Sequence, residues 1–381
     1  MTWVFIADLI MRLRRFFFSL TFTRFMADLI FGKVFTSPGK ISIIYFSTRR
    51  AKMQGDSYIL MKNLGKLMPN SAMSEVFSMR QIRTDLAMES FQGPEGGFPG
   101  VRVSHWEAMG VTLTEVVIET EAASCALGKA VGVYMTLECA AMRRRDLDAR
   151  LAVANLLGEE IARMLGREGD APVLVVGLGN RRITPDSLGP QTVDRTLVTR
   201  HMFEELPDFA DERMRSVCAI APGVLGVTGV ETMEMVEAIT ARVRPRAILC
   251  VDSLAARAAG RIGAAIQLTD TGIQPGSGVG NHRRSLTREA LGVPVIAIGM
   301  PTVIYAATLA RDAMEALSPD AGEEALDHVE AELLEGEHGE MVVTPREIDD
   351  LIADAAGVIA SAVNRALQPD LSEEEIAAMM N

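Results

Sequence analysis

The chain has 381 residues, of which 48% are hydrophobic, enough for a buried core in one large domain or two ordinary ones. Its formal net charge is −12, unevenly spread: residues 1–79 carry 11 Lys and Arg against 4 Asp and Glu, whereas residues 80–381 carry 27 against 46. An acidic body argues against direct binding of nucleic acid, which usually requires a basic surface, and is typical of a soluble enzyme.

The first 79 residues differ from the rest in composition as well as in charge. They hold 10 of the 14 phenylalanines, but charged residues interrupt the apolar stretch 3–35 too often for a membrane-spanning helix or a signal peptide. Three interpretations remain: translation assigned from an upstream start, a disordered or loosely helical pro-segment, or an amphipathic helix at a membrane surface. We expect no membrane partner.

The N-terminal part of the body predicts β-structure followed by a helix. Two β-type runs, Val101–Trp106 and Val111–Glu119, are joined by a short turn and predict a hairpin. A third strand is expected at Val131–Leu137, and apolar residues at helical spacing predict a helix over Arg145–Arg167.

Beyond residue 170, strands and helices alternate. The predicted strands are Val173–Val176, Ser216–Ala221, Ala247–Val251, Ala264–Leu268 and Val293–Ile298, and the predicted helices are Asp186–Glu204, Val230–Val243, Val303–Leu317 and Pro345–Leu367. This order implies an α/β fold of three layers, with a mostly parallel central sheet and helices on both faces, beside a small N-terminal β-hairpin region. The acidic segment Ala321–Glu340 is expected to be a solvated excursion.

Glycine and carboxylates follow the predicted strands, at the edge where open α/β sheets bind ligands. Asp252 is expected to end a strand directly, and Asp186 to begin a helix after a glycine-rich turn. Taken alone, each has an ordinary structural interpretation, as a helix-capping acid or a strand-end acid bonded to loop amides. Together they could share a water, because like charges held close keep one carboxyl protonated while the other acts as a base. Further candidates for lining this cleft are Gly177, Gly179, Asn180, Glu231, Asp270, Ser277, Gly278, Asn281 and His282.

Other chemistries find less support in the sequence. Gly177-Leu178-Gly179 begins like a dinucleotide fingerprint, but Arg182 stands where the third glycine is required. The sequence has no P-loop, no HExxH and no GxSxG motif. The four cysteines, at 125, 139, 218 and 250, form no CxxC pair, which predicts reduced core thiols and an intracellular location. We therefore expect no cofactor, without excluding a metal.

Many ordered segments of the chain are similar to the germination (spore) protease family, between about residues 82 and 367. They include Arg83-Thr84-Asp85-Leu86-Ala87, Val175-Val176-Gly177-Leu178-Gly179-Asn180, Thr184-Pro185-Asp186, Pro222-Gly223-Val224, Thr228-Gly229-Val230-Glu231-Thr232, Asp252-Ser253-Leu254-Ala255-Ala256-Arg257, Asp270-Thr271-Gly272-Ile273, Pro275-Gly276-Ser277-Gly278-Val279-Gly280-Asn281 and Val343-Thr344-Pro345. The resemblance implies an endopeptidase that degrades small acid-soluble spore proteins early in germination, made in the spore core as a homotetrameric zymogen.

The resemblance also implies roles for particular residues. The proposed catalytic aspartates of the family fall on Asp186 and Asp252, and the self-cleavage point falls at Asp85–Leu86. The expected organisation is therefore an extension at 1–79, a propeptide end at 80–85 and a protease domain at 86–381. The fold implied is that of hydrogenase maturation endopeptidases, whose metal-binding histidine has no counterpart that we can identify here.

This chain departs from the family pattern in three ways. The extension 1–79 is foreign to it, the insert before Val342 is shorter than usual, and Ser187 and Ser253 stand where the family often has alanine. Two alternative functions remain open: a metal-dependent maturation endopeptidase of the same fold, and a non-enzymatic module that binds phosphate or a small molecule through its glycine-rich loops.

Overall fold

The computed structural model describes residues 84–90, 98–166, 169, 171–206, 208, 211–274, 284–318, 322–335 and 341–380. The extension 1–79, the propeptide residues before 84 and the glycine-rich loop 275–283 lie outside the described residues. The described residues belong to one compact unit.

In the described part of the chain, nine strands form one sheet. They are β1 (Val101–Ala108), β2 (Val111–Ile118), β3 (Gly132–Glu138), β4 (Val173–Gly177), β5 (Val217–Ile220), β6 (Ala247–Ala256), β7 (Ala265–Thr269), β8 (Val295–Tyr305) and β9 (Val342–Val343). Strands β4 and β8 are buried along their whole length, as expected for strands that are covered on both faces.

The helices of the described residues include five of 12 or more residues and several single turns. They are α1 (Ala87–Ser90), α2 (Glu121–Leu127), α3 (Ala140–Arg143), α4 (Leu147–Leu165), α5 (Leu188–Val193), α6 (Arg200–Glu205), α7 (Leu225–Thr228), α8 (Thr232–Val243), α9 (Arg288–Leu291), α10 (Ala306–Leu317), α11 (Glu323–Glu335), α12 (Ile348–Leu367) and α13 (Glu373–Met380). Two 3₁₀ turns lie at Thr184–Asp186 and Ala259–Arg261. None of these helices combines the length and the apolar composition that a membrane span requires.

The strand order is β1-β2-β3-β7-β8-β6-β4-β5, with β9 on the far end of β8. Strands β8, β6, β4 and β5 are parallel, whereas β1, β2, β3, β7 and β8 pair antiparallel. The expectation of a mostly parallel sheet is therefore wrong, and the sheet is mixed. The connection 257–264 between β6 and β7 is shorter than the dozen or so residues that a parallel crossover needs, so β7 returns in the opposite direction.

Helices cover both faces of the sheet, as the sequence predicts. On one face, α4 and α12 pack against each other and against residues such as Val175, Leu249 and Ile298. On the other face, α8 covers Val176 and Cys250, while α1 and α2 cover the end formed by β2 and β3. The N-terminal hairpin is not a separate region, because β3 pairs with β7 and joins it to the main sheet.

Several predicted helices have different bounds in the structure. The helix expected over Asp186–Glu204 is divided into the 3₁₀ turn, α5 and α6. Strand β8 continues through Val303, where a helix was expected to begin, and α12 begins at Ile348 rather than Pro345. The Thr344 hydroxyl, just before this helix, donates to Thr302 O at 2.8 Å.

The acidic segment predicted as a solvated excursion contains helix α11, which packs against α10. Glu330 on α11 accepts a hydrogen bond from Thr308 at 2.9 Å and pairs with Arg311 at 3.4 Å. These contacts give part of the segment a structural role that its charge alone did not indicate.

Candidate active site

Glycines let the chain after β4 press against the end of the sheet. A Cβ on Gly177 would overlap Gly189 O, and a Cβ on Gly189 would overlap Leu178 O and Val251 O. The start of α5 therefore lies directly against the backbone of β6 at Val251, the residue before Asp252. Only glycine permits such close backbone approach.

Asp186 is held in place by the turn that precedes it. It ends the 3₁₀ turn Thr184–Asp186 and is half-buried. The Asn180 amide donates both to Asp186 Oδ2 at 2.9 Å and to Asp186 O at 2.8 Å. Gly179 has φ +110° and lies against the same residue. The position of the carboxylate is thus fixed by the residue type at 179 and by the local backbone.

Asp252 is a buried carboxylate with only 5% of its surface exposed. The sequence predicted that Asp252 ends its strand; this is wrong, because β6 continues to Ala256. However, β4 stops pairing at Val251, so Asp252 is the first residue of β6 beyond the end of β4. Its Oδ1 accepts the Ser253 amide at 2.9 Å.

The two aspartates lie on neighbouring elements. The 3₁₀ turn that carries Asp186 contacts both β6 and β8, and Asp252 lies in register with Gly299 of β8. A Cβ at residue 299 would collide with the Leu254 side chain, so glycine at this position leaves room for Leu254 on the face of the sheet that carries Asp252. The arrangement brings a half-buried and a buried carboxylate to one edge of the sheet, where a pair can divide acid and base roles.

Cysteine chemistry plays no part in this arrangement. All four cysteines are free; Cys139 and Cys250 are buried as expected, whereas Cys218 is half-buried and Cys125 is exposed. Burial, reinforced by the nearby charge of Asp252, raises the pKa of the Cys250 thiol. Cys250 is therefore a protonated core residue rather than a nucleophile.

The segment Thr84–Ser90 is anchored on the sheet beside this edge. The Asp85 amide donates to Ala255 O at 3.0 Å, and the Ala255 amide donates to Asp85 Oδ2 at 2.8 Å. Leu86 is fully buried against Leu254, Ala256 and Ala265. Because Leu254 and Asp252 are two residues apart on one strand, their side chains lie on the same face of the sheet.

A carboxylate four residues after Asp85 also holds the segment Thr84–Ser90 on the sheet. Glu89 is buried and accepts the amides of Arg257 at 2.6 Å and Ala258 at 2.9 Å, together with the Thr84 hydroxyl. Arg261 pairs with the same carboxylate at 2.9 Å. Hydrogen bonds to charged groups are roughly twice as strong as neutral ones, so this segment is held firmly.

The peptide bond between Asp85 and Leu86 is contacted by two further side chains. Lys129 Nζ lies 3.0 Å from Asp85 O and 2.8 Å from Thr84 O. Gln267 Nε2 donates to Asp85 O at 3.1 Å, while Gln267 Oε1 accepts the Ala87 amide at 2.7 Å. Burial lowers the pKa of Lys129, while the charges of Asp85 and Glu89 oppose that shift.

Sequence reasoning missed Lys129, Gln267, Glu89 and Arg261. The available signal was a single polar residue, Gln267, inside the otherwise apolar run Ala264–Leu268. A polar side chain in a buried strand requires a partner, which here is the segment Thr84–Ser90. Lys129 gives no comparable signal, since an isolated lysine after a helix is ordinarily solvated.

The other predicted cleft residues are divided between several places. Gly177, Gly179 and Asn180 lie at the end of β4, and the half-buried Glu231 precedes α8. Asp270 is a correction: it follows β7, which runs opposite to β8, so it lies towards the other edge of the sheet. There its Oδ1 accepts the Val133 amide at 2.8 Å. Ser277, Gly278, Asn281 and His282 lie outside the described residues.

Among the described residues, no group of three or more histidine, cysteine, aspartate or glutamate side chains is arranged to hold a metal ion. The described site is thus built from two aspartates, glycine-rich backbone and an anchored peptide segment.

Comparison with known proteins identifies the family of this chain. The profile of the family described as Germination protease matches residues 79–334. A relative named Germination protease from Caldanaerobacter subterraneus subsp. tengcongensis is 44% identical over 314 residues, covering 77% of this chain and 97% of the relative. Relatives of the same name from Clostridium tetani and Bacillus cereus are 39% identical over 321 residues and 36% identical over 358 residues. Both cover 79% of this chain, and 99% and 97% of their own lengths.

These similarities make the chain a peptidase built on a mixed α/β sheet. It belongs to the germination protease family.

Proposed function

We propose that this chain is an endopeptidase that begins the degradation of small acid-soluble spore proteins at germination. It is made as a homotetrameric zymogen in the spore core and removes its own N-terminal segment by cleaving Asp85–Leu86. Asp186 and Asp252 carry out the chemistry without a metal ion. Family membership supports the reaction class, and the geometry of the described residues supports the division of roles.

One observation carries this proposal. The Asp85–Leu86 bond is fixed against β6, on the face of the sheet where Asp252 lies, by hydrogen bonds between Asp85 and Ala255 and by burial of Leu86. A peptidase that cleaves itself needs its scissile bond held beside its own carboxylates. Holding reacting groups in place is worth several kcal/mol of the barrier, about 7–11 in the best cases.

The two carboxylates act as acid and base in this mechanism. One takes a proton from a water that attacks the Asp85 carbonyl carbon, and the other donates a proton to the departing Leu86 nitrogen. A pair held close favours the singly protonated state, because like charges raise one of the two pKa values. The same machinery then hydrolyses spore proteins once the N-terminal segment has left.

The decisive experiment combines the purified chain with a small acid-soluble spore protein, with and without a chelator, and sequences the fragments. Cleavage that is unaffected by the chelator supports the aspartate mechanism. Cleavage abolished by the chelator and restored by a divalent cation would favour a metal-dependent endopeptidase. No cleavage of the protein, with heat protection by phosphate instead, would favour a binding module.

A further inference from the structure

We infer that Lys129 and Gln267 form an oxyanion-binding pair for the carbonyl group of Asp85 when the Asp85–Leu86 bond is hydrolysed. This inference rests on the proposed self-cleavage and assigns two residues that act on its reacting oxygen.

Two donors from different elements meet at one carbonyl oxygen. Lys129 follows α2, whose end at Gly128 adopts the left-handed conformation with φ 65°, and Gln267 lies in the middle of β7. Their donor atoms lie 3.0 Å and 3.1 Å from Asp85 O. Both donors are thus within hydrogen-bond distance of the carbonyl oxygen in the uncleaved chain and can follow it as it becomes an oxyanion, from which effective donors lie about 2.7–3.1 Å.

The orientation of Gln267 follows from its second contact. The Ala87 amide can only donate, so the Gln267 atom facing it at 2.7 Å must be the oxygen. The amide nitrogen therefore faces Asp85 O. Gln267 thus accepts a hydrogen bond from Ala87, which follows the scissile bond, and donates one to the carbonyl oxygen of Asp85, which precedes it.

Gln267 is also placed correctly relative to Asp252. Both residues are in register with Gly299 of β8, one on each side of it, and their side chains share a face of the sheet. Two strand spacings separate them, about 10 Å between Cα atoms. The Asp85 carbonyl oxygen accepts from Gln267 of β7, while the Asp85 amide and Oδ2 are bonded to Ala255, three residues beyond Asp252 on β6. The segment therefore spans this face of the sheet between the strand of the donor and the strand of the carboxylate.

The chemistry balances with water as the only co-reactant. The water oxygen bonds to the Asp85 carbonyl carbon, its proton passes to one carboxylate, and the carbonyl oxygen becomes an oxyanion held by Lys129 and Gln267. The carbon–nitrogen bond then breaks, the Leu86 nitrogen takes a proton from the second carboxyl, and the oxyanion returns to a carbonyl. The products are a carboxyl group on Asp85 and an amino terminus on Leu86.

The environment of Lys129 fits this role. An ammonium group that is removed from water attracts a developing negative charge more strongly, because its surroundings screen the interaction between the two charges only weakly. Burial lowers the pKa of Lys129, which is the signature of such removal, while Asp85 and Glu89 favour its charged form.

The competing interpretation is that Lys129 only anchors the segment. Arg261 provides the matched control, because it also binds the segment through a cation but contacts Glu89 and not the scissile carbonyl. Lys129→Met retains an unbranched side chain and removes the donor. Gln267→Glu retains the acceptor for the Ala87 amide and replaces the donor to Asp85 O with a carboxylate oxygen.

The test measures the first-order rate at which the full-length chain forms a Leu86 amino terminus. We expect Lys129→Met and Gln267→Glu to slow this step by about 100-fold or more, and Arg261→Met by less than about tenfold. Hydrogen exchange of residues 84–90, measured in an uncleaved Asp186→Asn background, should show equal protection with Lys129 or with Met at position 129.

Two results would overturn the inference. The first is a rate for Lys129→Met and Gln267→Glu no lower than that of Arg261→Met, while the parent chain still cleaves at Leu86; this leaves the proposed function intact. The second is a loss of protection in Lys129→Met large enough to account for its slower cleavage. A parent chain that never forms the Leu86 terminus would refute self-cleavage and this inference together.

Discussion

Gly179 lies so close to Asp186 that a Cβ at residue 179 would stand 2.9 Å from Asp186 Oδ1 and would overlap Asp186 O. Its φ of +110° is a conformation that residues with side chains rarely adopt. The glycine-rich turn after β4 therefore serves the carboxylate directly. Any side chain at 179 would strain the backbone and displace Asp186.

Gly179→Ala should greatly reduce activity. The unfavourable φ should cost about 1–3 kcal/mol of stability, and displacing Asp186 by about 1 Å should lower kcat/KM about 100-fold. Gly226→Ala is the matched control, because a Cβ there meets nothing within 4 Å. Melting temperature and kcat/KM report the two effects separately; equal activity in both variants would show that Asp186 does not depend on this turn.

Asp186→Asn and Asp252→Asn should each abolish cleavage without unfolding the chain. An amide can neither donate nor accept the transferred proton as a carboxyl group does, so we expect a loss of about 1000-fold or more in either variant. Circular dichroism and the melting temperature check the fold, and fragment yield from a spore protein measures activity. Full activity in either variant would refute its catalytic assignment.

Self-cleavage should accelerate as the pH falls from neutral towards mild acid. The proposed mechanism requires one protonated and one ionised carboxylate, and a carboxyl group gains its proton as the pH falls, so mild acid should increase the fraction of chains in that state. The rate should fall again when both are protonated. N-terminal sequencing after an acid shift should reveal Leu86 in the parent chain and not in Asp186→Asn. New termini elsewhere, or equally in both chains, would assign the processing to another protease.

Loss of the Glu89 carboxylate should loosen the segment Thr84–Ser90. Glu89→Ala leaves the buried amides of Arg257 and Ala258 without their acceptor, at a cost of about 1–3 kcal/mol for each unpaired group. Hydrogen exchange of residues 84–90 should rise. Glu119→Ala, which removes the partner of Arg102 in an exposed pair, should change little. Unchanged exchange in Glu89→Ala would mean that the anchor lies elsewhere.

Removing most of the extension should leave the protease unaffected. Its basic, phenylalanine-rich composition differs from that of the body, so a chain that starts at Met73 should keep its melting temperature within about 2 °C. Its activity should also be retained. A large fall in melting temperature would show that residues 1–72 are a structural part of the enzyme.

The sequence by itself determined the local features. Continuous apolar runs located β4 and the core of β6, because local residue types control strand burial. The motifs around Asp186, Asp252 and Asp85 indicated the family. The sequence could not determine the direction of β7, because that direction depends on which strands β7 pairs with after the short connection from β6. The parallel interpretation therefore placed Asp270 at the wrong edge.

The tertiary structure alone decided which distant residues meet. Lys129 and Gln267 are 138 positions apart in the chain, yet both donate to Asp85 O because β3 pairs with β7 and the segment Thr84–Ser90 lies across that end of the sheet. Contacts of this kind depend on strand order and register, which no local pattern encodes. The physical reason is that residues from many different parts of a sequence could occupy the positions next to a given strand. Only the packing of the whole fold decides which of them do.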